Sequence, residues 1–190
     1  KLEATVPEYR LPDPLRLQTG EPVRDPQTWR LRRRPELIES FRTHVYGFAP
    51  APPAETPFQI TSVDPAALNG LATRKEVRVS LTGTSEGPAM TVLVYLPNRL
   101  RAAQERSPLF LGLNFYGNHT IHPDPGIAIT GSWVPNNSDT DGRPAELLRG
   151  LQSASWPVES ILARGYGLAT VYYGDIAPDR RDGLRGTRRR

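Results

Sequence analysis

The chain has 190 residues, enough for one domain with a substantial core, and its 37% hydrophobic and 23% charged content suits a folded globular protein. It has no cysteine, which excludes a disulfide framework and thiolate metal ligation, and no apolar run of about 18 residues that would span a membrane. The formal net charge is +4, yet residues 180–190 hold six arginines and one aspartate, so residues 1–179 sum to −1. The basicity belongs to the tail. A nucleic-acid footprint needs a basic patch among aromatics across the body, so no nucleic-acid partner is expected, and no membrane partner either.

Twenty prolines and 16 glycines mark a loop-rich protein. The opening KLEATVPEYR lacks the charged-then-apolar layout of a signal peptide, which leaves a cytosolic protein or a signal already removed. Residues 1–34 read as an extended, Pro-rich segment ending in Arg30, Arg32, Arg33 and Arg34, a run expected to form a solvated face. Pro35 then opens a helix, with Leu37, Ile38, Phe41 and Val45 at helical spacing and Gly47 as its stop. A Pro/Ala linker follows over 48–57.

Phe58–Val63 alternates weakly as a strand. Thr73–Thr82 and Ala89–Leu96 flank a turn rich in Gly, Thr, Ser and Pro, which predicts a β-hairpin with Val77, Val79 and Leu81 on one face. Pro97 and Asn98 open a short helix to about Arg106. Phe110–Phe115 is a continuous apolar run, the pattern of a strand covered on both faces. Tyr116–Ser153 is a long stretch without periodicity, the kind of loop that carries function or flexibility, with one short helix expected over Pro144–Leu151. A helix over 157–164 begins at Pro157 and ends at Gly165, and Leu168–Tyr173 is the last clear strand. Strand, crossover helix and strand imply parallel pairing, with right-handed connection and chemistry at the strand ends.

Several motifs have a plain structural explanation. Gly83-Thr84-Ser85-Glu86-Gly87 matches the letters of a nucleophile elbow, but a strand leaves it where a helix is required, so a hairpin turn explains it. His119 and His122, with Asp124 nearby, lack the third and fourth ligands a zinc site needs, and are read as satisfying loop hydrogen bonds. Asn136, Asn137, Asp139 and Asp141 offer oxygens to calcium, but no closing Glu follows and such clusters make turns. Gly112, Gly117, Gly165 and Gly167 do not form a dinucleotide-binding fingerprint. No metal and no cofactor is expected. Trp156 precedes a helix and is read as packing back on it, whereas Trp133 in the long loop is the candidate for stacking on a sugar ring.

RRRPELIESFRTHVYGFAP (32–50), VLVYLP (92–97), SPLFLGLNFYGNHT (107–120) and SWPVESILARGYGLATVYYGDIAPD (155–179) together resemble the glucuronoyl esterases, family fifteen of the carbohydrate esterases. The resemblance covers most of residues 28–182. It implies an α/β fold, the amino-terminal half of an α/β-hydrolase three-layer sandwich, whose mixed sheet has an antiparallel opening hairpin and then parallel strands. It also implies an exported parent, periplasmic or extracellular, that cleaves esters between glucuronic acid of xylan and lignin alcohols. The alternatives are another ester hydrolase such as an acetylxylan esterase, or a carbohydrate-binding fragment without catalysis that uses Trp133 and Tyr116. The family's Gly-Cys-Ser-Arg-x-Gly-Lys elbow is not in this sequence, so no catalytic serine, acid or histidine is assigned. The backbone amides of Tyr116, Gly117 and Asn118 occupy the loop that gives one oxyanion donor in such folds. The chain is thus read as an extended segment (1–34), a partial hydrolase domain (35–182) and a basic tail (183–190) marking a truncation or frame change. A complementary carboxyl-terminal segment is the expected partner beside glucuronoxylan.

Overall fold

The computed structural model describes residues 5–84, 87–101, 106–135 and 146–177. Ser85, the Asn136–Asp141 cluster and the tail 183–190 lie outside the described residues. The chain divides into two compact units, Lys1–Pro52 and Pro53–Arg190, within the Pro/Ala linker.

In the first unit the helix starts earlier than the sequence suggests. Asp25 caps it, its two carboxylate oxygens accepting from the Thr28 amide and hydroxyl at 2.7 Å each. The path is α-helical over Pro26–Thr28 (α1), π-helical over Trp29–Arg33, α-helical over Arg34–Phe41 (α2) and π-helical over Arg42–Tyr46. The first wide turn sits directly before Pro35, which has no N–H for the i−4 bond; Arg34 reaches back five residues to the Trp29 carbonyl. Proline therefore lies inside a helical path that the sequence reading began at Pro35. The arginine run is not uniformly solvated either. Arg33 is buried, donating to the Pro14 carbonyl at 2.9 Å and to Glu36 at 3.0 Å, while Glu36 accepts from the Gln18 amide.

The second unit is built on one five-stranded sheet: β1 (Phe58–Ala67), β2 (Ala72–Ser80), β3 (Ala89–Pro97), β4 (Leu109–Asn114) and β5 (Gly167–Tyr172). Their spatial order is β1-β2-β3-β5-β4, antiparallel as far as β5 and parallel between β5 and β4. β1 tolerates Pro65 because it is an edge strand with register shifts on both sides of Ser62–Asp64. Leu68, Asn69 and Gly70, all with positive φ, turn the chain into β2. Asn98, the first residue of α3 (Asn98–Arg101), clamps that turn by donating to the Pro65 and Gly70 carbonyls and accepting from Thr73. After β4, α4 (Val158–Ala163) returns the chain to β5. The expected helix at 144–151 is a single 3₁₀ turn over Glu146–Leu148 among the described residues.

Pairing fixes the faces. Leu93 and Tyr95 of β3 stand beside Thr170 and Leu168 of β5, and Leu93, Tyr95 and Leu168 share a core with Ile121, Ile127, Val158 and Leu162. The long loop and α4 therefore cover this face. Trp156 packs on the same core and lies over Gly112, where a Cβ would approach its ring to 3.2 Å. The opposite face differs from expectation at β4. Leu109, Leu111, Leu113 and Phe115 are exposed, Leu111 at 72%, whereas β5 is buried along its whole length. The apolar run of β4 lies at the end of the sheet with no described strand beyond it. No described helix is long and apolar enough to cross a membrane.

One ionic group ties the covering loop to the sheet. Asp124 in the loop accepts from both Arg74 of β2, at 2.7 and 2.8 Å, and the Tyr95 hydroxyl of β3, at 2.6 Å. Burial opposes the Asp124 charge, but Tyr95, Arg74 and the Gly126 amide outweigh it and hold its pKa below the ordinary aspartate value. Gly126 is required here, since a Cβ would sit 2.1 Å from the Arg74 guanidinium. Asp124→Asn leaves the buried Arg74 with only the more distant Asp64 carboxylate, at 3.9 Å, and should lose about 3 kcal/mol of stability. With a depressed folded-state pKa, the Asp124 contribution is present at neutral pH and vanishes as pH falls below about 4. Thermal melts across pH should show the wild type losing stability on acidification and Asp124→Asn with a shallower dependence; parallel curves would refute the pin.

Candidate functional site

Both parallel strands end at the same edge of the sheet. There β4 runs into Asn114 and the loop 115–120, β5 into the 3₁₀ turn Tyr173–Asp175, and the antiparallel β3 begins at Ala89. Asn114, fully buried, organises the first loop. Its amide donates to Asn118 at 2.7 Å and to Thr170 at 3.0 Å, and its carbonyl oxygen accepts from the Gly117 amide at 3.0 Å. Asn118 in turn donates to the Thr91 carbonyl at 2.9 Å, and the Thr120 hydroxyl closes on the Gly117 carbonyl. Gly117 has φ +100, and a Cβ there would come within 2.9 Å of the buried His119 ring. Only glycine fits this turn.

Asp175 organises the second loop. Its carboxylate accepts from the Thr91 amide at 3.2 Å, the Thr130 hydroxyl at 3.0 Å and the Ser132 hydroxyl at 2.7 Å. Tyr172 donates to the Trp133 carbonyl at 2.7 Å. The segment 128–134 is thereby held across the strand ends, above the stem of the β2–β3 hairpin. Between them lies a cavity of about 210 Å³. Its floor is Glu76, Arg78, Ala89 and Thr91, its roof residues 128–132, and its inner end Asn118 and Asp175.

Glu76 is 3% exposed, and burial pushes its carboxyl above the ordinary glutamate value even though the Ala128 amide donates to Oε1 at 3.0 Å. Arg78, across the hairpin from Thr91, is exposed, and its guanidinium has no hydrogen bond or ion pair among the described residues.

Of the positions singled out from sequence, Asn118 lines the cavity, while Tyr116, Gly117 and Trp133 do not. The Gly117 amide already donates to Asn114, so among the three loop amides those of Tyr116 and Asn118 are the ones without a described acceptor. Tyr116 is 39% exposed, and Trp133 is half-buried. His122 accepts from the Asp124 amide at Nδ1 and meets Glu159 through Nε2 at 2.8 Å, the loop-bonding role read from sequence. Among the described residues no three His, Asp or Glu side chains are grouped to hold a metal. Sequence reasoning passed over Asn114, Asp175, Glu76 and Arg78. For the first two a signal was present: each is a polar residue placed where a buried strand stops.

No family model matches the chain. It is 43% identical to carbohydrate esterase MZ0003, from an unknown prokaryotic organism, over 180 residues that make up 93% of this chain and 41% of that protein. Its fold matches a glucuronoyl esterase from Solibacter usitatus with a TM-score of 0.84 and 41% identity, over 99% of this chain and 48% of the other. It also matches a promiscuous CE15 esterase from the marine bacterial metagenome, with a TM-score of 0.80 and 43% identity, over 94% of this chain and 44% of the other. The chain spans about half the length of the relatives it matches.

The sign of the Glu76 shift sets a test of the site. A raised folded-state pKa means that the proton-bound form is favoured on folding, so the charged form costs stability once pH rises above the glutamate range. Glu76→Gln keeps an oxygen for the Ala128 amide and removes the charge. Its melting temperature should exceed that of the wild type at pH 7, with the gap closing on acidification through the ordinary glutamate range. A variant less stable at pH 7 would show that the charge is favourable there.

Proposed function

We propose, from a chain that belongs to the CE15 glucuronoyl esterases and spans about half their length, that the complete protein is an exported serine esterase acting on glucuronoxylan. The observation that carries this reading is the likeness at more than 40% identity along nearly the whole chain, including the strand-end loops. In the reaction a serine Oγ attacks the glucuronoyl carbonyl while a histidine takes its proton, and the lignin alcohol leaves with that proton. Water then repeats the attack on the acyl-enzyme. Of the loop amides at the end of β4, Tyr116 or Asn118 is the one oxyanion donor this half contributes. The second donor and the nucleophile belong to an elbow that this sequence lacks, so a complementary segment must supply them.

The exposed row Leu109, Leu111, Leu113 and Phe115, together with the free edge of β4, is the surface such a segment would cover. Three results follow. The chain alone should not turn over a methyl ester of glucuronic acid, whereas the complete protein should; activity on acetylxylan alone would favour the neighbouring ester-hydrolase reading. In the complete protein, Gly117→Ala should lower kcat by about 10²–10³, the loss that follows removal of one oxyanion donor, because it displaces the loop from His119. Leu111→Lys should increase soluble monomer of the isolated chain without lowering its melting temperature, and should prevent rescue by the complementary segment. Rescue unaffected by the lysine would place the covering surface elsewhere.

A further inference from the structure

The cavity between the β2–β3 stem and the segment 128–132 has a chemical composition the ester reaction itself does not call for. Glu76 contributes one carboxylate oxygen held by Ala128 and a second with no hydrogen-bond donor among the described residues. Arg78, two residues along the same strand and so on the same face, brings a guanidinium without an ion pair. The Thr91 hydroxyl stands across the hairpin from Arg78. The amides of Ile129, Thr130 and Gly131 have no described acceptor, because the bonds of this segment are made by Ala128 and Ser132. Asp175 and Asn118, by contrast, are occupied in holding the loops. The rest of the lining is Ala89, Ala128 and the Ile129 side chain, with the Thr130 and Ser132 hydroxyls spent on Asp175.

We propose that this cavity is a subsite for one neutral pyranose ring of the polysaccharide, with Glu76 accepting from one ring hydroxyl and Arg78 donating to its neighbour. The proposal rests on the glucuronoxylan reading and adds a named position in the polymer. A carboxylate and a guanidinium side by side match a vicinal diol, which offers a donor and an acceptor at adjacent oxygens. The methyl groups of the lining suit the C–H surface of the ring. At about 210 Å³ the cavity is smaller than a drug-sized pocket and takes one ring, not two. Two carboxylates, Glu76 and Asp175, against one guanidinium make the site a poor host for a uronate. It therefore reads the uncharged sugars of the main chain, and not the glucuronic acid whose ester is cleaved.

The test is an amide NMR titration of the 190-residue chain with xylotriose and, in parallel, with glucuronic acid. Xylotriose should move the resonances of residues 128–132 with millimolar affinity, and glucuronic acid should bind more weakly. Arg78→Ala, at an exposed position, should weaken xylotriose binding about tenfold, as expected for loss of one charge-assisted hydrogen bond. Glu76→Gln, which retains the oxygen facing Ala128, should weaken it as well. Resonances of 128–132 that stay still, or that move equally in Arg78→Ala, overturn the proposal, and so does tighter binding of glucuronic acid. Because the titration needs no nucleophile, it separates the two readings. An active complete esterase with a silent cavity removes the subsite alone, and a cavity that binds xylotriose in a protein inert on glucuronate esters removes the esterase reading alone.

Discussion

The contact on which the second unit depends is the one between Asp124 and the pair Arg74 and Tyr95. The sheet face it joins is half ionic: Arg74 and Glu76 on β2 are almost fully buried, and from the neighbouring strand β1 Arg74 receives only the more distant Asp64 carboxylate at 3.9 Å. A loop without regular structure cannot cover such a face by apolar contact alone. It must bring an acceptor to Arg74 and a donor to Glu76, and it does so with the Asp124 carboxylate and the Ala128 amide, four residues apart. Once these are fixed, Ile121 and Ile127 on either side of Asp124 reach the core. Arg149 adds a second tie from the far end of the loop, donating to the Asp124 and Ile127 carbonyls at 2.8 Å each. The polar bonds set the register, and the apolar side chains between them supply the burial.

The same loop makes the strand-end site possible. With Ile127 anchored, the chain that follows has only one direction to run, across the start of β3, where Asp175 takes the Thr130 and Ser132 hydroxyls. Asp175 also accepts from the Thr91 amide, the position at which β3 enters the sheet. One carboxylate thus joins the end of β5, the start of β3 and the covering loop. On the other side Asn114 does the corresponding work for β4, since its single amide reaches both Asn118 and Thr170. The cavity is what remains between these two fixed points and the hairpin stem. Its free groups are those neither hub uses.

How much of this was legible follows from the range of the interactions. The strands, the antiparallel pairing of β2 with β3, the parallel pairing of β4 with β5 and α4 were readable because alternation, turn residues and apolar runs are local signals. The start of the first helix was misread because Pro35 opens helices more often than it sits inside them, and the wide turn that accommodates it has no sequence signature. The ionic pin joins residues 50 positions apart, Arg74 and Asp124, so nothing in either neighbourhood announces it. Arg74 and Glu76 in fact disguise themselves: in TRKEVRVSLT they read as the solvated side of a hairpin. The LNFYGNHT loop was recognised by resemblance, but the role of its first Asn was not, since Asn114 acts through Thr170, which lies beyond the long loop.

The contrast between β4 and β5 shows where a sequence argument must stop. LFLGLN and GLATVY carry comparable apolar patterns, and each asks for cover on both faces. β5 receives it because β3 and β4 flank it, Leu168 packs into the core under the long loop and α4, and Tyr172 packs with Val134, Leu148 and Tyr173. β4 presents Leu109, Leu111, Leu113 and Phe115 to solvent at about half exposure or more. An apolar run states what a strand requires, and only the remainder of the fold decides whether the requirement is met. In a chain that spans about half the length of its relatives, the unmet part has a definite location. Its largest part is the Leu109, Leu111 and Leu113 face and free edge of β4, with Phe110 and β1 residues Phe58 and Ile60 exposed as well, while the face under the long loop is packed and hydrogen-bonded. The loop 115–120 continues directly from β4, so whatever covers that strand also borders the strand-end site.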